Sequence, residues 1–182
     1  NELAIAQYAK LVKEKNIECD FKRVSSVLYS RIGVTELKEE VESAERLGIM
    51  AEFVIDAELP FLIKGGAKFE NQAQFSPLKF LKELSGELKI LEHTLVTEIK
   101  DHWVITNKGI LTADNIVVAT HYPIKNIPGF YFMRQHQERS YVLALSGCKP
   151  MEAMYYGIDK NSFSFRQAGE YLLLGGCSHR TG

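Results

Sequence analysis

The sequence predicts an α+β fold with α/β character in its middle, on three observations. Helical spacing of apolar residues is confined to the first half of the chain. Residues 116–119 (Ile-Val-Val-Ala) form an unbroken β-branched and small apolar run, as a short strand buried on both faces requires. From residue 131 onward, four β-rich runs follow one another through short connections, which makes neighbouring strands antiparallel.

Taken in order, residues 3–14 place Ile5, Tyr8, Ala9 and Val12 at helical spacing. Residues 19–29 alternate loosely through Cys19, Phe21, Val24, Val27 and Leu28, predicting one or two strands. Thr35 is positioned to cap a second helix, with Glu36 in its first turn. Leu37, Val41, Ala44 and Leu47 then share one face, and Gly48 ends the helix. Residues 52–59 read as a strand turning into Pro60, and Gly65-Gly66 as a turn or a point of close approach. Ser76-Pro77 starts a third helix, Ser capping and Pro fitting the first turn. That helix is expected to bury Leu78, Leu81 and Leu84 and to end near Gly86. Residues 89–99 read as a strand pair or a bent strand. Residues 103–106 and 110–113 then flank Asn107-Lys108-Gly109 as a hairpin, with Gly109 supplying the positive φ. The final runs are 131–145, 153–158, 162–166 and 171–175, punctuated by Lys160-Asn161 and Ala168-Gly169.

Composition narrows the function classes. At 182 residues the chain can bury one sizeable core. With 46% hydrophobic and 25% charged residues, it has the balance of a soluble globular protein. A formal net charge of -1, with Lys and Arg scattered, argues against nucleic acid or an anionic membrane as a partner. No apolar stretch reaches the roughly 20 residues needed to span a bilayer. Three widely spaced cysteines, Cys19, Cys148 and Cys177, argue against a disulfide framework and for the cytoplasm. The chain lacks an initiator Met and both of its ends look cut, so it reads as an internal fragment of a larger protein.

Most familiar motifs are missing. Gly65-Gly66 and Gly175-Gly176 belong to no Gly-x-Gly-x-x-Gly fingerprint, and there is no Walker-type phosphate loop. Cys177 and His179 could supply half a metal site, but a closed site needs about four ligands and no second pair exists. A buried free Cys beside a turn His explains them better, and no metal ligand is assigned. Ser140 and Ser178 lack the nucleophile-elbow context, which argues against a hydrolase. The cluster 134–141, with Tyr155, Tyr156 and Arg166, carries Arg and Tyr donors able to grip a carboxylate, Arg in bidentate fashion. Solvent-facing residues of an antiparallel sheet account for any one of them at least as well. Arg139, Tyr141, Tyr155 and Arg166 are the substrate-side candidates. No catalytic residue is assigned.

The hairpin, Asp114, the apolar run and Ala119-Thr120 together resemble the second dinucleotide-contacting segment of FAD-dependent oxidoreductases. The likeness is to the superfamily of D-amino-acid, glycine and sarcosine oxidases. Cys19 to Val24, Glu45 to Ile49, Phe75 to Lys79 and Tyr171 to Gly176 resemble other family segments in the same order. Within it, Ala119 to Pro123, Arg139-Ser140-Tyr141 and Gly175 to Gly182 are most similar to bacterial proteins carrying a C-terminal Rieske iron–sulfur domain.

The resemblance implies an antiparallel substrate domain with flanking helices (19–87 and 126–182) and parts of an FAD-binding domain (1–18 and 88–125). Its glycine fingerprint would lie upstream of Asn1. It implies FAD contacts at Val96, Ala119, Thr120 and His121. His121 stands where the family has glycine, so either the backbone path differs or the imidazole packs near the cofactor. A 2Fe-2S cluster, which needs paired Cys and His ligands, would lie in a domain beyond this chain. The implied partners are a small-molecule substrate and the remainder of the flavin domain. The implied function is the middle portion of an oxidoreductase that passes hydride from an amine, amino acid or similar substrate to flavin, the fragment alone being inactive. The alternative from another class is a non-catalytic α+β binding module with no flavin role.

Overall fold

The computed structural model describes residues 2–122, 124 and 129–181. Two compact units divide the chain: one holds residues 1–83 and 137–182, the other 84–136.

The larger unit is built on a seven-stranded sheet. In chain order its elements are α1 (Glu2–Glu14), β1 (Lys22–Ser30), α2 (Thr35–Arg46), β2 (Ala51–Val54), β3 (Gly65–Gln74) and α3 (Pro77–Ser85). After the second unit's strands, numbered β4 to β6, come β7 (Gln137–Leu145), β8 (Met154–Gly157), β9 (Ser164–Ala168) and β10 (Tyr171–Thr181). The strand order is β2-β3-β1-β8-β9-β10-β7. Every pairing is antiparallel except β1 with β8, which joins the two halves of the sheet in parallel. The antiparallel expectation therefore holds, with one parallel seam where a long excursion of chain returns.

Alternation across the strands makes two packed faces. Val27, Tyr29, Tyr155, Phe165 and Leu172 bury one face with Met151, beneath the 55–63 segment that brings Leu59, Phe61 and Ile63. On the other face Leu37 and Val41 of α2 pack on Ala67, with Leu28, Phe53 and Phe69 around them. Gly65 and Gly66 make no turn. They begin β3, fully buried, and a Cβ on Gly66 would lie 2.8 Å from Val27 Cγ1 and 3.1 Å from the Leu28 carbonyl. Close approach of strands is what this pair provides.

Helix ends follow local chemistry with one exchange of roles. Val34 is the N-cap of α2 and makes no side-chain cap bond, so Thr35 is the first helical residue rather than the cap. Gly48 at φ 73 closes the other end. Its N–H reaches the Glu45 carbonyl and that of Ile49 the Ala44 carbonyl, both at 2.9 Å, the paired bonds of a Schellman motif. Leu47 is the C-cap and stays exposed, off the buried face expected for it. In α3 the buried residue is Phe80, not Leu78 or Leu81, both of which are exposed. Phe80 wins because Tyr8 of α1 and Phe75 wait for it, with ring centroids at 5.4 and 5.3 Å.

The smaller unit carries a three-stranded meander, β4 (Val96–Lys100), β5 (Trp103–Thr106) and β6 (Gly109–Thr112). Its β5–β6 hairpin turns at Asn107-Lys108, with Gly109 at φ 140. Asn107 also pins the approach to β4: its Oδ1 accepts the Leu95 N–H at 2.9 Å. Of residues 89–99, only 96–99 are strand. The 116–119 run is not a strand either: it lies outside any regular element, with Val117 87% and Val118 50% exposed. A buried strand needs partners for its backbone groups, and no strand among the described residues pairs with this run. Near residue 131 the expected strand is first a 3-10 turn (Tyr131–Met133), and β7 starts only at Gln137.

Candidate functional site

β7 is an edge strand, and Arg139 and Tyr141 are two residues apart on it, hence on the same face as Leu145 in the core. Opposite them runs β10, whose register places Gly176 against Tyr141 and His179 against Arg139. Between those pairs the register shifts, and Cys177 takes up the extra length at φ 57. Such bulges re-aim side chains and sit preferentially at sheet edges and beside functional sites.

Here the bulge aims His179 at Tyr141. The two rings stack with centroids 5.8 Å apart and planes at 21°. His179 Nδ1 lies 3.3 Å from the Cys177 carbonyl oxygen. Gly176 has no side chain because Phe163 occupies that space; a Cβ there would lie 2.6 Å from Phe163 Cδ1. Phe163 is itself fixed, since its carbonyl accepts the Tyr29 hydroxyl at 2.8 Å and the Gly157 N–H at 3.1 Å. Burial pushes the Tyr29 phenol above its ordinary value, so it stays a donor. Phe163, Tyr141, His179 and Arg139 thus form an exposed aromatic and cationic patch on a rigid floor.

The other two substrate-side candidates go elsewhere. Tyr155 is buried in the core and its hydroxyl accepts the Glu58 N–H at 3.2 Å. Burial raises its pKa as well. Arg166, on β9, lines a separate open groove of about 770 Å³ with Lys22, Val24, Gln74 and Leu173. Arg139 and Tyr141 come together; Tyr155 and Arg166 do not join them.

In the smaller unit Val96 opens β4 half-buried, while Ala119, Thr120 and His121 are exposed. The Tyr122 N–H reaches the Thr120 carbonyl at 2.6 Å, closing a three-residue turn on His121, whose φ is 62. This left-handed backbone suits glycine, and His121 adopts it, with its side chain outside. The residues fit an FAD contact on two observations. The backbone bends as a glycine would bend it. Among the described residues no strand pairs with the run before it, and its small Ala119 and Thr120 side chains let a ligand approach. Pro123 and residues 125–128 lie outside the described residues.

A 2Fe-2S cluster does not fit this chain. No three His, Cys, Asp or Glu residues converge as a metal site among the described residues. Cys177 is exposed on the bulge rather than buried, and Cys19 is the buried thiol. No helix among the described residues is long and apolar enough to cross a membrane.

The fold is one that solved oxidase and dehydrogenase structures share. The chain matches 99% of its length to glycine oxidase from Geobacillus kaustophilus (TM-score 0.78, 15% identity, 55% of that chain). It matches 100% of its length to L-proline dehydrogenase from P. horikoshii (TM-score 0.74, 16% identity, 55% of that chain). The model of the FAD dependent oxidoreductase (DAO) family covers residues 1–181, and the chain belongs to that family. A Bacillus subtilis (strain 168) relative, YhfW, is provisionally named a Rieske 2Fe-2S iron–sulfur protein. It is 32% identical over 201 residues, spanning 100% of this chain and 39% of the relative. The chain therefore spans about half the length of the solved structures and less than half of that relative.

Sequence reasoning weighed His179 only as half of a metal pair, which it set aside, and passed over Phe163. The signal for the first was present: a Gly-Gly pair late in a strand, with a histidine three residues on, marks a bulge able to turn a side chain.

Proposed function

We propose that this chain is the substrate-domain portion, with part of the flavin-contacting segment, of an FAD-dependent oxidoreductase acting on an amine, amino acid or similar small substrate. Residues 19–87 and 126–182 belong on this reading to the substrate domain, and 1–18 and 88–125 to the FAD-binding domain. Val96, Ala119, Thr120 and His121 contact the cofactor. Bound flavin supplies the hydride acceptor; the protein holds and orients the substrate. The observation that carries the reading is the Arg139–Tyr141 pair, exposed on one face of an edge strand in a chain of this family. Arg139 grips a carboxylate in bidentate fashion and Tyr141 adds a phenol donor and an aromatic wall. The setting is cytoplasmic, in keeping with three free cysteines.

The relative's Rieske name supports a 2Fe-2S cluster in the intact protein, held by residues other than these. The test is the full-length parent. It should be yellow, with flavin absorbance bleached by a substrate from an amine and amino-acid panel, and with added iron–sulfur absorbance where the cluster is present. A colourless, folded parent that cannot be reconstituted with FAD would overturn the reading and favour a binding module.

A further inference from the structure

The bulge in β10 fixes more than the direction of His179. A carbonyl oxygen can only accept, so the 3.3 Å contact to the Cys177 carbonyl requires the proton to sit on Nδ1. In the neutral ring Nε2 is then the unprotonated nitrogen, an acceptor. Tyr141 stacks against the imidazole and holds its plane. The ring is exposed, and among the described residues Nε2 has no hydrogen-bond partner. Arg139 lies directly across the strand pair. A backbone-locked tautomer, a stacked plane and an open acceptor beside a carboxylate-binding guanidinium are more than an incidental surface histidine provides.

We propose that His179 is the proton acceptor of this site, taking a proton at Nε2 from the N–H or O–H donor of a ligand whose carboxylate Arg139 holds. The ligand's N–H or O–H bond breaks, its electron pair stays on the ligand atom, and a bond forms from hydrogen to Nε2, giving an imidazolium that keeps its Nδ1–H on the Cys177 carbonyl. No oxidant is consumed in that transfer. The charged and titratable neighbours are Glu138, Arg139 and Tyr141 on β7, with Cys177 and Arg180 on the histidine's own strand. The role rests on the oxidoreductase reading above and deepens it.

Two measurements on the full-length protein test it. In ¹⁵N-histidine NMR at neutral to alkaline pH, the resonance lost in His179→Gln should show a protonated Nδ1 and an unprotonated Nε2. Finding the proton on Nε2 would overturn the proposal, whether or not the protein proves to bind flavin. In kinetics with the substrate found for the parent, His179→Gln should lower kcat/KM by about 100-fold or more. It should also remove the acidic limb of the pH profile, leaving the flavin spectrum unchanged. His179→Asn should behave alike. A variant with wild-type folding that keeps the acidic limb and stays within twofold of wild type would refute the role; a colourless parent would instead defeat the oxidoreductase reading.

Discussion

Replacing Ser30 by Ala tests what ties the two halves of the large sheet together. Ser30 ends β1 and is 2% exposed. Its hydroxyl donates to Asp159 Oδ1 at 2.6 Å and accepts the N–H groups of Ile32 and Gly33, both at 3.1 Å. Asp159 Oδ2 takes the Arg31 N–H at 2.8 Å, across 128 residues of sequence. The node therefore locks the end of β1 to the β8–β9 connection, beside the parallel seam. The bond to a carboxylate is of the charge-assisted kind, contributing about 1.5–3 kcal/mol. Ile32 and Gly33 are exposed, so water can replace the lost acceptor and adds little to the cost. We expect Ser30→Ala to cost about 2–3 kcal/mol. For a chain of this length that is a fall in Tm of about 5–10 °C. Urea and thermal unfolding followed by circular dichroism measure both. A double-mutant cycle with Asp159→Ala should return a coupling of at least about 1 kcal/mol, since the partners touch. A loss below about 0.5 kcal/mol, or additive single variants, would refute the node as a tie.

Alkali should act through the buried phenols. Tyr29 and Tyr155 both have pKa values raised by burial. Their contribution is whole below the unfolded value of 10.0 and is lost as pH rises through the folded values. In a tyrosinate absorbance titration, these two of the eight tyrosines should ionise late, together with unfolding. Eight phenols titrating alike in folded protein would contradict it. Gly66→Ala should cost about 1–3 kcal/mol through overpacking, because its Cβ meets Val27 Cγ1 at 2.8 Å and Val54 Cγ2 at 3.1 Å. Gly33→Ala, with nothing within 4 Å, is the control and should be nearly neutral in the same unfolding assay.

Local chemistry carried most of what was legible. The Gly48 cap, the Ser76-Pro77 start and the Asn107-Lys108-Gly109 turn depend on a few neighbouring residues and form where their spacing predicts. What failed needed a partner far along the chain. Phe80 displaced Leu78 and Leu81 because it packs on Phe75 just before the helix and on Tyr8, which is far from it in sequence, and spacing within the helix's nine residues registers neither. The 116–119 run has every strand preference, but strand formation is settled by a neighbour's hydrogen bonds. Tyr155 and Tyr141 have the same chemistry in the sequence. The sheet order buries one over Val27 and leaves the other on an edge. The site was half visible for that reason: residue types named Arg139 and Tyr141, and topology alone separated them from Tyr155 and Arg166.

Arg139 has a second explanation, and the geometry discriminates between the two. Charged residues on an edge strand deter pairing with another chain, and β7 is an edge. Edge protection needs charge at the rim and nothing more specific, and Glu138 opposite Arg180 already supplies it. It does not call for a left-handed cysteine, an imidazole held by its own strand's carbonyl and a tyrosine stacked upon it. Backbone strain at a non-glycine residue costs about 1–2 kcal/mol and persists only where the surroundings hold it. A sheet edge protected by charge alone could relax Cys177 into regular pairing. Its retention at the place that turns His179 toward Tyr141 and Arg139 favours a ligand over a guard.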